Sequence, residues 1–124
     1  MSQVEKTYQI KIEGLRLFAY HGVFPEENKL GQEFEIELLL TLENSPLLHR
    51  DELENVVSYW EVMKDVKEVF TGKTFKLLEN AALTILDSLA EYPQILHARV
   101  HVKKLTPPIP VSVGSVGVII EREY

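Results

Sequence analysis

The chain has 124 residues, the length of one domain, and a net charge of −6 argues against a surface that tracks nucleic-acid phosphates. With no cysteine there can be no disulfide, thiol nucleophile or thiolate metal site. No apolar run approaches the roughly 18 residues of a membrane span. The N-terminus lacks a signal-peptide core, so a soluble cytoplasmic protein without nucleic-acid or membrane partners is expected.

Tyr8-Gln9-Ile10-Lys11-Ile12-Glu13 alternates apolar and polar residues like a half-buried strand. Gly14 interrupts it, and Leu15 to Tyr20 continues as a second extended piece. A polar loop marked by Gly and Pro follows, from Tyr20-His21-Gly22 to Gly31-Gln32-Glu33. Hairpin loops need only about two to five residues, so one this long on a small scaffold points to function. Alternation resumes at Phe34 and runs to Leu42, where Asn44-Ser45-Pro46 stops it.

Ser58-Tyr59-Trp60-Glu61 reads as a capping box opening a helix with Val62, Val66, Val69 and Phe70 as its stripe and Gly72 as its stop. A second helix is expected from about Phe75 to Glu91, with Leu78, Ala82, Ile85, Leu86 and Leu89 facing inward. Two strands close the chain, Ala98 to Lys104 and Val116 to Glu123, around a Pro-rich loop. The order predicts an α+β fold, a four-stranded antiparallel sheet with both helices on one face. The last strand carries no charge before Glu121, which hints at an assembly covering its outer face or edge.

Four positions could carry chemistry. Glu79 is bordered along its helix by Phe75, Lys76, Ala82 and Leu83. It is either a solvated boundary acid or a carboxylate presenting two coplanar acceptors to a flat heterocycle. Lys104 ends the inward row Ala98, Val100, Val102, and either snorkels into water or enters a pocket as an acid or base. Tyr59 either packs at the helix start or offers an exposed phenol for proton transfer. Glu27 reads by default as one of several solvated loop acids. The four histidines, His21, His49, His97 and His101, make a poor metal set, because His97 and His101 lie about 13 Å apart along a strand. No metal or cofactor is expected.

The long loop, Val56-Val57-Ser58-Tyr59, Leu77-Leu78-Glu79-Asn80, Lys104-Leu105-Thr106-Pro107-Pro108-Ile109-Pro110 and Gly114-Ser115-Val116-Gly117-Val118 together resemble the dihydroneopterin aldolases, in order and in spacing. The similarity covers essentially the whole chain. It implies a T-fold subunit whose sheets join into a barrel as a homo-tetramer or stacked homo-octamer, with active sites between subunits. It implies a pterin substrate held by Glu79 and by backbone groups near Leu78 and Val57. Lys104 would act with a water in proton transfer, Tyr59 would reach in from the adjacent subunit, and Glu27 would contact or orient the reacting side chain. Ser58, Trp60 and Val111 depart from the family's habits, which bears on the balance of aldolase and epimerase activity. A dihydroneopterin triphosphate epimerase should carry extra basic residues near the substrate tail, and a non-catalytic pterin binder would have no use for both Lys104 and Tyr59.

Overall fold

A computed structural model describes residues 5–124. The N-terminal reading rests partly on residues 1–4, which lie outside the described residues. The chain runs β1 (Thr7–Ala19), α1 (Pro25–Leu30), β2 (Gln32–Glu43), α2 (Pro46–His49), α3 (Tyr59–Thr71), α4 (Leu78–Leu89), β3 (Ile95–Lys104) and β4 (Val116–Glu123). The strands form one antiparallel sheet in the order β1-β2-β3-β4. Helices α3 and α4 pack on each other and on one face of that sheet, as the alternating patterns require.

Alternation in β2 sends Phe34, Ile36, Leu38, Leu40 and Leu42 into the core, where they meet Val62, Val66 and Phe70 of α3 and the apolar stripe of α4. The other face is charged, and Lys103 Nζ bridges Glu35 at 2.9 Å and Glu37 at 3.2 Å. The two extended pieces expected around Gly14 are a single strand. A bulge between Ile12 and Leu15, with Gly14 at φ 67°, adds one residue, so Ile12, Leu17 and Ala19 can all face inward despite their mixed parity.

Four local expectations need correction. The long loop contains a helix, α1, which opens on Pro25 at a position where its missing N–H costs nothing. Ser45 likewise caps the short α2 through the Leu47 N–H, where only a strand stop was read. The helix expected from Phe75 begins at Leu78, because Phe75 uses its backbone N–H and C=O on the long loop and Leu77 is extended. At α3 the Ser58 hydroxyl accepts from the Glu61 N–H at 3.3 Å. The reciprocal bond from the Glu61 side chain is absent among the described residues, so this is an N-cap rather than a full box. Strand β4 lies at the sheet edge with Val116 and Ile119 exposed. No helix among the described residues is long and apolar enough to cross a membrane.

Candidate active site

The end of β3 and the start of β2 meet the helix inserted in the long loop. Lys104 pairs in register with Phe34, and the inward row Ala98, Val100, Val102 delivers its side chain to the core side of the sheet. There its Nζ lies 2.5 Å from Glu27 Oε2. Gln32 Nε2 donates to the same oxygen at 3.1 Å, and the Phe24 backbone N–H donates to Oε1 at 3.3 Å. Glu27 is therefore not a solvated loop acid. It is only 6% exposed, and its carboxylate caps its own short helix from the third position. Burial pushes the Glu27 carboxyl up, but the Lys104 ammonium, the Phe24 N–H and Gln32 together outweigh it and hold it below the ordinary carboxylate range.

The backbone around this pair has little slack. Asn28 Nδ2 donates to the carbonyls of Tyr20 at 2.8 Å and Gly22 at 3.0 Å, fastening α1 to the residues that precede it. Gly22 has φ 146°, and a Cβ there would sit 2.4 Å from the Glu27 carboxyl carbon. Only glycine lets the carboxylate lie so close to the chain. The buried His21 Nδ1 accepts the Phe75 N–H at 3.0 Å, so the ring proton sits on Nε2 and is donated to Phe70 O at 2.8 Å. Burial drives the His21 pKa down, the Phe70 carbonyl partly opposes this, and the nearby Lys104 charge lowers it further.

The other expected residues stand apart from this pair. Tyr59 opens α3 and is 63% exposed, and Glu79 is exposed in the first turn of α4. No hydrogen bond or ion pair among the described residues joins either one to Glu27 or Lys104. Lys76, the cation nearest Glu79 in sequence, forms no ion pair with it among the described residues. Val57, just before α3, and Leu78, the first residue of α4, bury their side chains in the core. His97 and His101 lie on the charged sheet face beside Glu121 and Glu37.

Sequence reasoning placed His21, Asn28 and Gln32 in the long loop that carries the resemblance but gave none of them a role in the site, and taken singly His21 was weighed as a metal ligand. One signal was available for Glu27: Pro25 as a first helical residue puts Glu27 where a side chain caps the preceding turn. Nothing local marks His21, since its partners are 49 and 54 residues away.

The family model described as dihydroneopterin aldolase (FolB) matches residues 10–121. A dihydroneopterin aldolase of Bacillus subtilis (strain 168) is 36% identical over 116 residues, covering 93% of this chain and 97% of that protein. The crystal structure of Escherichia coli dihydroneopterin aldolase in complex with neopterin superposes with a TM-score of 0.82 at 24% identity, covering 93% of this chain and 98% of that one. A Burkholderia dihydroneopterin aldolase structure bound to guanine gives a TM-score of 0.79 at 20% identity, covering 96% of this chain and 93% of that one. At these identities the solved structures establish a shared fold.

Proposed function

The chain belongs to the dihydroneopterin aldolase family of folate biosynthesis, and from that premise we propose how its residues carry out a retro-aldol cleavage of 7,8-dihydroneopterin. The observation that carries the reading is the Glu27–Lys104 pair, a buried carboxylate and a partly buried ammonium drawn together from a loop helix and a strand end. Such pairs are costly to bury and cluster at functional sites.

The base removes the proton of the substrate's 2′-hydroxyl. The 2′-oxygen's electrons form the aldehyde of glycolaldehyde as the C1′–C2′ bond breaks, and the pair of that bond stays on C1′ and is taken up by the N5=C6 imine as an enamine. A proton returned to C1′ restores the imine and yields 6-hydroxymethyl-7,8-dihydropterin. The substrate's own imine is the electron sink, so this route calls for neither a Schiff base nor a Lewis acid. Lys104 in its amine form is that base: it accepts the proton through a water and later returns it to C1′, while Glu27 stabilises the ammonium so formed and orients the hydroxyl-bearing tail. Glu79 accepts the paired N–H donors of the amino-pyrimidine edge, with backbone groups near Leu78 and Val57 completing the slot. Tyr59 serves from a neighbouring copy in a tetramer or octamer, consistent with its exposure at a helix start. Re-addition of glycolaldehyde to the opposite face would give the C2′ epimer as a side product.

The test is chromatography of 7,8-dihydroneopterin incubated with the purified protein in chelator. Equimolar 6-hydroxymethyl-7,8-dihydropterin and glycolaldehyde are expected. Formation of the C2′ epimer alone would make the protein an epimerase, and unchanged substrate would refute the reading.

A further inference from the structure

Two parts of the proposed site come from different places in the chain, and one buried dipeptide lies between them. On one side, Gly22 offers its carbonyl to Asn28 and its open α-carbon to the Glu27 carboxylate. On the other, the dipeptide grips Phe75 twice. The Gly22 N–H donates to Phe75 O at 2.9 Å, and the Phe75 N–H donates to His21 Nδ1 at 3.0 Å. Phe75 is 2% exposed, and its ring stacks edge-on against the His21 ring with centroids 5.0 Å apart. From that anchor the chain passes through the extended Leu77 directly into α4, whose second residue is Glu79.

We propose that His21 is a positioning residue for pterin binding: its Nδ1 holds the Phe75–Glu79 segment, and so the pterin-anchoring carboxylate, at a fixed offset from the Glu27–Lys104 pair. This rests on the functional reading above. Two observations set the role apart from that of a core histidine satisfied by any partner. The bond goes to the segment that carries Glu79, and the same dipeptide also packs against Glu27. The second bond, from Nε2–H to Phe70 O at 2.8 Å, ties the ring to the end of α3 and fixes which nitrogen is free to accept. Recognition of a planar edge by two parallel hydrogen bonds is directional, so a displacement of about 1 Å at the carboxylate is enough to cost about 100-fold.

Two amide substitutions separate the two ring nitrogens. In His21→Asn the side-chain oxygen occupies the place of Nδ1 and keeps the Phe75 bond. In His21→Gln the amide nitrogen occupies the place of Nε2 and keeps the Phe70 bond. Neopterin affinity, read from its fluorescence, is expected within threefold of wild type for His21→Asn and at least tenfold weaker for His21→Gln. With 7,8-dihydroneopterin the His21→Gln loss should fall on KM, with kcat changed less than threefold. Equal weakening in both variants, the reverse order, or a loss confined to kcat would overturn the proposal. A second measurement needs no variant to fold. Saturating neopterin should slow hydrogen exchange of the wild-type Phe75 amide at least tenfold, and an unchanged rate would overturn the latch. Wild-type protein that binds no neopterin would instead refute the functional reading on which the latch rests.

Discussion

The Glu27–Lys104 pair should hold the fold as well as serve the site, and a double-mutant cycle measures how strongly. Glu27→Gln keeps the side chain's shape and an acceptor for the Phe24 N–H, but leaves the Lys104 ammonium facing a neutral amide. Stranding one member of a fully buried pair costs about 3–5 kcal/mol. Here the side chains are 5% and 15% exposed, so Lys104 can turn part of its charge to water and about 2–3 kcal/mol is the better expectation. A chain of 124 residues has an unfolding entropy of about 0.26 kcal/mol/K, so that loss lowers Tm by about 8–12 °C. Lys104→Met should cost a similar amount, because it strands the carboxylate. The double variant should cost clearly less than the sum of the two, with a coupling of about 1.5–2 kcal/mol. Thermal melts of all four proteins at one protein concentration provide the cycle. Strict additivity, or a Glu27→Gln Tm within about 2 °C of wild type, would show that the two charges do not depend on each other.

Four further outcomes follow from the proposed site. Lys104→Ala should keep neopterin affinity while losing about 10²–10⁴-fold in kcat. Glu79→Ala should weaken affinity by about 100-fold, the worth of two charge-assisted hydrogen bonds, and equal affinities in the two variants would overturn both role assignments. Gly22→Ala places a methyl 2.4 Å from the Glu27 carboxyl carbon at φ 146°, so both Tm and turnover should fall, and a variant that retains both would show that the loop can yield. His21 and Glu27 both have folded-state pKa values below their ordinary ones. Each therefore adds stability that is complete above its ordinary pKa and is lost as pH falls toward its folded value. Tm should begin to drop below about pH 6.5 through His21 and drop further below about pH 4.3 through Glu27. In His21→Asn the first part of that decline should flatten, and an identical pH profile would remove His21 from the account.

Much of the architecture was legible because periodicity reports which face of an element is buried. The alternation in Phe34–Leu42 and Ala98–Lys104 placed both central strands, and it placed Lys104 on the inward row where the structure has it. The stripe Val62, Val66, Phe70 located α3 within a residue of its observed bounds. Periodicity has no purchase on a short helix inside a polar loop, and α1 was missed with it. Too few turns exist for a stripe to form, and the helix is held by Asn28, Gly31 and Glu27 making bonds to neighbouring backbone rather than by an apolar face.

The environment of each polar residue was a matter for the tertiary structure. Glu27 and Lys104 lie 77 residues apart in sequence, and nothing in either neighbourhood states that the strand end and the loop helix converge. His21 looked like a loose histidine until the fold set Phe34, Phe70 and Phe75 around its ring and a donor and an acceptor on its two nitrogens. A residue's type and spacing determine which chemistry it can offer and which face it takes. Its protonation, its partner and its exposure depend on the groups packed against it, and those are chosen by long-range register and burial, which no local pattern records.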